Sequence, residues 1–253
     1  MALTNLAFTF NCTKDYEGDG TTGVRFTIDE TKRFATLVLT IRADAYCYSD
    51  NGYSPRDMVP LIIFRGNSGN KKEAKKYARN VSVRFNPKAW MDTHMAQEYF
   101  KLWKAHLPTY KLPCVLLVDN LSSHVSNDFV GKMKSEANTY VYALPKNTTH
   151  FSQPVDRHVA KTMKDYFIAD MEAWYWKLNQ KSVRSGKVQV VSISALRIQT
   201  TKSVQVAWKR LLAQENLIAS SFSRIGLSLP LDGSCDYHIA FEGAKETFFY
   251  GLK

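Results

Sequence analysis

Long apolar stretches are missing from these 253 residues: runs such as Val59-Pro60-Leu61-Ile62-Ile63-Phe64 are the best on offer. A membrane helix needs roughly 20 apolar residues, so no bilayer-spanning helix is expected. The opening Met1-Ala2-Leu3-Thr4 has none of the basic-then-apolar layout of a secretory signal, and an intracellular protein is expected. Glycine and proline are scarce, at 12 and 8, while apolar residues make up 45%, which excludes the disordered and low-complexity classes. Cysteine is scarcer still. The four, at 12, 47, 114 and 235, form no C-x-x-C pair and no ligand-like spacing with the six histidines. Neither a structural zinc site nor a disulfide framework is signalled, and Cys114 reads as a small core residue. The sequons at Asn11, Asn80, Asn120 and Asn147 carry meaning only in a secreted chain. Carboxylates are also in deficit: 23 Asp plus Glu face 34 Lys plus Arg, giving a net charge of +11. That balance favours a polyanionic partner or, more blandly, a basic surface with no partner at all.

What is present falls into two rhythms. Residues 1–23 are rich in turn formers, although Leu6-Ala7-Phe8-Thr9-Phe10 offers a short strand. Three β-rich runs follow, at 23–28, 34–41 and 58–64, and read as an antiparallel meander. The stretch from Arg65 to Arg84 is crowded with lysines and reads as an exposed basic loop or extended hairpin. Helix and strand then alternate: a helix over 91–107, a strand over 114–118, a helix over 127–137 and a strand over 139–144, a pattern of parallel pairing with helices laid on a sheet. A long helix is predicted from Pro154 to Leu178, with Val159, Met163, Phe167, Met171, Trp174 and Leu178 as its apolar stripe. A polar connection at 180–186 and another helix over 194–213 complete the chain. The expected division is an irregular N-terminal segment (1–23), an α/β core (24–180) and a C-terminal helical extension with a tail (181–253).

Two strand endings can carry chemistry. In Leu116-Leu117-Val118-Asp119-Asn120-Leu121-Ser122-Ser123-His124 an apolar strand stops at a carboxylate, and carboxyl ends of strands in open α/β sheets are where ligands bind. The plainer alternative is an Asp-Asn turn that merely ends the strand. In Leu144-Pro145-Lys146-Asn147-Thr148-Thr149-His150-Phe151-Ser152-Gln153-Pro154-Val155-Asp156, helical geometry puts Asp156 on the side shared by Val159, Met163 and Phe167, facing the sheet. Its alternative is a favourable charge at a helix N-terminus. Two carboxylates at one sheet edge repel unless a proton or divalent cation lies between them. Carboxylate oxygen is what magnesium or manganese prefers, so the pair suggests metal-dependent phosphate transfer.

These residues resemble a family. Asp119 and His124 in an LLxDxxxxH block, then Asp156 after 36 intervening residues in an LPxNTTHxxQPxD block, are similar to the DDE-superfamily endonuclease domain of pogo, Tigger, jerky and centromere-binding protein B-like transposases. Pro60-Leu61-Ile62-Ile63-Phe64-Arg65-Gly66 is similar to that family's PxxIFxG segment, and the likeness spans most of 24–235. The resemblance implies an RNase H-like α/β fold, a mixed sheet flanked by helices, with extra C-terminal helices. It implies three carboxylates holding two Mg2+ or Mn2+ ions that cleave or join DNA phosphodiesters. Asp119 is then the second acid and Asp156 the third. The first is Asp29, in Thr27-Ile28-Asp29-Glu30-Thr31, unless that residue is only a hairpin turn; Asp15 and Asp19 are weaker candidates, and loss of the acid is a further alternative.

DNA contact is expected from Lys71, Lys72, Lys75, Lys76 and Arg79, and from Arg157, Lys161 and Lys164, as salt-sensitive phosphate contacts without base readout. His124 and His150 are read as structural histidines with backbone partners in preference to groups that polarise the acids or contact phosphate, and Trp174, Tyr175 and Trp176 as core in preference to base-stacking residues. The family's N-terminal helix-turn-helix has no counterpart in this sequence, which argues against autonomous transposition. A nuclear nuclease domain is the first functional expectation. A non-catalytic, domesticated nucleic-acid-binding module is the alternative, and a metal phosphohydrolase of small molecules ranks last. Homo-oligomerisation is left open.

Overall fold

In the computed structural model the described residues are 2–8, 24–26, 34–43, 58–106, 113–145, 153–155 and 159–240. Their strands are β1 (Ala2–Phe8), β2 (Val24–Phe26), β3 (Ala35–Ile41), β4 (Leu61–Arg65), β5 (Ser82–Asn86), β6 (Cys114–Val118), β7 (Thr139–Ala143) and β8 (Gln189–Val191). The helices are α1 (Lys71–Ala74), α2 (Thr93–His106), α3 (Asn127–Ala137), α4 (Ala160–Ser185), α5 (Ile193–Leu212) and α6 (Glu215–Ser223), followed by a 3-10 turn at Asp236–His238.

Six strands form one mixed sheet in the order β5-β4-β3-β1-β6-β7, and β2 pairs with β8 in a separate parallel ribbon. β3 is antiparallel to both β1 and β4, while β1–β6, β6–β7 and β4–β5 are parallel. Every residue of β3 is buried, the pattern of a central strand covered on both faces. Its two threonines are satisfied: Thr36 Oγ1 donates to Ala89 O at 2.6 Å, and Thr40 Oγ1 lies 3.0 Å from the Tyr99 hydroxyl.

Alternation sorts the strand residues into two cores. Leu37, Leu39, Ile62, Phe64 and Leu117 face α4 and α5, where they meet Val159, Met163, Phe167 and Trp208. Val38, Leu61, Ile63, Leu116 and Val118 face α2 and α3, where they meet Met95, Tyr99, Trp103 and Phe129. The layout is therefore helix, sheet, helix, a mixed α/β fold.

The elements at 114–118 and 127–137 stand where the sequence placed them. Elsewhere the structure departs from expectation for identifiable reasons. The turn-rich 1–23 segment contributes Ala2–Phe8 as a strand between β3 and β6, because β3 and β6 both need a partner on that side. The expected meander survives only as β3–β4, since β2 leaves the main sheet for β8. Residues 65–84 are not a loop: they hold one helical turn, capped by the Asn70 side chain accepting from Lys72 N at 2.8 Å, and then β5 begins. α4 overruns its expected end and stops only at Gly186, whose φ of 62° supplies the left-handed cap. The polar letters at 180–185 do not oppose a helix, and Ser182 is buried with its hydroxyl on Lys187 O at 2.7 Å.

α2 is tied to β5 by a carboxylate. Glu98 accepts from Lys101 Nζ at 2.6 Å and from Arg84 Nε at 2.8 Å. Those hydrogen bonds, Lys101 first and then Arg84, hold its pKa below the ordinary carboxylate range. A depressed folded-state pKa means the stabilisation is whole above the ordinary value and disappears as pH falls through the depressed one. Glu98→Gln is thus expected to lower the melting temperature at neutral pH, with the gap to wild type closing in acid. Melting curves from pH 7 down to 3 check it, and a gap that does not change with pH overturns it.

Candidate functional site

β6 points its carboxyl end at a loop that is pinned on every side. Leu144 N donates to Val118 O at 2.8 Å, which carries the β6–β7 pairing one residue past the strand ends. Asn120 Nδ2 then donates to Leu144 O, so both polar groups of the Leu144 backbone fix residues flanking Asp119. Further on, His124 N donates to Leu121 O at 2.8 Å, and buried Ser123 donates its hydroxyl to Met91 O at 2.8 Å. Ser126 caps α3 by accepting from Phe129 N. A loop with this many internal bonds holds its carboxylate in one place.

Asp119 uses its two oxygens differently. Oδ1 lies 2.6 Å from His124 Nδ1 and also accepts, at 3.4 Å, from Leu121 N. An ionised carboxylate only accepts, so the hydrogen of that short contact sits on Nδ1. Oδ2 receives no hydrogen bond among the described residues, and the side chain is 24% exposed where His124 is fully buried. His124 is itself packed against Phe129, with ring centroids 6.5 Å apart. The result is a carboxylate oriented from behind by a buried imidazole and presenting its second oxygen outward. Of the two readings of His124, the contact with the acid is the one seen at Nδ1. The five-residue interval in LLxDxxxxH was the available signal.

An outward carboxylate oxygen on a rigid loop suits a hard divalent cation. The other acids are not placed: Asp156 and Asp29 lie outside the described residues, as do Asp15, Asp19, His150 and Arg157. Among the described residues no three metal-ligating side chains cluster. The neighbours of Asp156 are informative: Val155 and Val159 are both fully buried in the core that contains Leu117, two residues before Asp119. β3 begins at Ala35, opposite Phe8, so the chain enters it at the sheet edge toward which β1 and β6 run. β1, which lies beside β6, reads Ala-Leu-Thr-Asn-Leu-Ala-Phe and holds no carboxylate.

The cations are better defined. Lys71, Lys72, Lys75, Lys76 and Arg79 are all exposed, on and just after α1. The turn is docked, not free: Ala78 N donates to Thr201 Oγ1 of α5 at 3.1 Å, and buried Glu73 accepts from the Tyr77 hydroxyl at 2.5 Å. Burial first, and then that bond to Glu73, push the Tyr77 pKa up, so the phenol stays a donor. Lys161 and Lys164 are exposed on α4 beside its buried stripe. The aromatic triplet divides: Trp174 and Tyr175 pack against the core, and Trp176 is 60% exposed.

No helix among the described residues is long and apolar enough to cross a membrane. A family model described as DDE superfamily endonuclease matches residues 47–222 of the chain. No solved structure matches it.

Proposed function

The chain belongs to the DDE superfamily endonuclease family, and from that premise we propose that it is a transposase-derived nuclease domain of the pogo, Tigger, jerky and centromere-binding protein B-like branch, acting on DNA phosphodiesters with Mg2+ or Mn2+. The observation that carries the reading is Asp119, fixed through Oδ1 by buried His124 and offering Oδ2 at the end of a strand. In this reading Asp119, Asp156 and Asp29 would hold the metal ions, whose chemistry when bound would be to lower the pKa of the attacking water or 3′-hydroxyl and to offset charge on the leaving oxygen. His124 keeps the Asp119 carboxylate at one angle, and the lysines of α1 hold the phosphate backbone. A mixed sheet with helices on both faces supports an RNase H-like core. The two sequence blocks around Asp119 and Asp156 support the transposase branch, and DNA as substrate makes the nucleus the proposed location.

One observation favours the second reading, a binding module without catalysis: the strand beside β6 brings no acid, so the metal site is complete only if Asp29, or Asp15 or Asp19 in its place, reaches it. A single experiment separates the two. Purified protein is given supercoiled plasmid with Mg2+, with Mn2+ or with a chelator. Nicking that needs the metal supports the nuclease; tight binding without nicking at any metal concentration supports the module.

Both readings make the same demand on α1. Lys71, Lys72, Lys75 and Lys76 changed together to Glu are expected to flatten the dependence of log affinity on log salt by up to about 3.6, four phosphate contacts at roughly 0.9 each. Titrations of a labelled duplex across salt concentrations measure this. An unchanged slope removes α1 from the interface.

A further inference from the structure

One stretch of the sheet is left bare. α4 and α5 cover the central strands on their side, but at the outer strand the covering ends: Tyr140 is 53% exposed, Tyr142 58% and Val115 on β6 50%. The pairings Val115↔Tyr140 and Leu117↔Tyr142 put all four residues on one face. Lys134 of α3 brings its ammonium to 5.7 Å from the Tyr140 ring centroid, and the ring remains half exposed beneath it. β7 leads from these rings directly to Leu144, whose backbone fixes the residues on either side of Asp119.

We propose that Tyr140 and Tyr142 form a stacking track for single-stranded DNA, along which an unpaired strand reaches the Asp119 centre. This rests on the reading of the chain as a DNA-acting nuclease and adds the state in which the substrate is held. Residues two apart on a strand are separated by about 6.8 Å, twice the roughly 3.4 Å spacing of bases along a strand. One base therefore fits between the two side chains and a second against the outer ring. Stacking on aromatic rings tolerates any base, because every base presents a π-face. A duplex, whose bases are already stacked and paired, cannot use the rings in this way. Charge selects the occupant: with a net +11 on the chain and a lysine over the first ring, a polyanion is attracted and a second copy pairing edge to edge through β7 is repelled.

The test is binding without chemistry, so that it stands apart from the metal site. The full chain, in chelator, is titrated against a fluorescein-labelled 20-nucleotide single strand and against the duplex of the same sequence. Both tyrosines are changed to Thr, which keeps strand propensity while removing the rings, and separately to Phe, which keeps the rings. The Thr pair is expected to weaken single-strand binding by at least about tenfold, the loss of one or two stacked bases. Duplex affinity is expected to stay within twofold, and the Phe pair is expected to bind the single strand as wild type does. Equal losses for single strand and duplex, no loss for either, or absence of single-strand binding by wild type each overturn the track. So does a wild-type dimer in sedimentation that the Thr pair dissolves. A chain that binds the single strand through its tyrosines yet never cleaves DNA leaves the track standing and removes the nuclease; the reverse result removes the track alone.

Discussion

Asp119→Asn is expected to reduce metal-dependent DNA cleavage by about 10²- to 10³-fold, the scale of loss when one preorganised electrostatic group is removed from a reacting centre. The substitution is nearly isosteric, and its effect on the loop is small for a specific reason. The Asn carbonyl still accepts from His124 Nδ1 and from Leu121 N, as Oδ1 does now at 2.6 and 3.4 Å, and the bonds of Leu144 N to Val118 O, His124 N to Leu121 O and the Ser123 hydroxyl to Met91 O do not involve the side chain. What is lost is the negative charge and the metal affinity of the outward oxygen. DNA affinity is expected to hold or to rise, because one charge fewer faces the phosphates. His124→Ala separates orientation from ligation: an outer partner of a metal-binding carboxylate is typically worth 10- to 100-fold, and raising the metal concentration is expected to recover part of it. Single-turnover nicking rates across a metal titration, with a melting curve for each variant, measure all three effects. Cleavage at the wild-type rate by Asp119→Asn removes this residue from the metal site and with it the proposed mechanism.

The letters of the chain carried the parts of this site that depend on local order. A continuous apolar run stopping at Asp119 fixed β6, and Phe129, Val130 and Met133 at helical spacing fixed α3, so both elements stand where sequence placed them. The motif spacing also put a histidine five residues after the acid, and left open whether it met the acid or a backbone group. Whether an imidazole turns to a backbone carbonyl or to a carboxylate depends on how a loop closes, and closure here is set by Met91 and Leu144, 33 residues before His124 and 20 after it. The same distinction explains β1 and α1. Of Ala2–Phe8 only Leu6-Ala7-Phe8 lies in the short strand the sequence offered, and the segment starts at Ala2 because β3 and β6 leave a place for it. The lysines at 71–76 look like a solvated loop by composition. A single buried glutamate among them, with partners at 77 and 197, decides otherwise.

That glutamate makes the second strong expectation, and its direction runs against simple charge counting. Deleting an acid from a cluster of lysines should strengthen binding to a polyanion; Glu73→Ala is expected to weaken it. Glu73 is buried, accepts from the Tyr77 hydroxyl, and has its Oε1 3.8 Å from Arg197 Nη1. Arg197 is in turn committed to its place, with Nη2 on Arg65 O at 2.8 Å and its guanidinium 5.1 Å from the Phe85 ring centroid. Its Nε is buried and makes no hydrogen bond. Removing the carboxylate therefore leaves a buried guanidinium without its counter-charge and a buried phenol without its acceptor, a loss of about 3 kcal/mol for a pair broken from one side. In a domain of this size that lowers the melting temperature by roughly 6–12 °C. α1 is a single turn, too short to persist without its anchor, so the four lysines cease to act as one surface. The salt dependence of DNA binding is then expected to flatten in Glu73→Ala, as it does in the lysine charge swap. Glu73→Gln, which still accepts from Tyr77, is expected to fall between. Should Glu73→Ala bind duplex DNA at least as tightly as wild type, with the same salt slope, the lysines act as independent charges and the anchor has no part in presenting them.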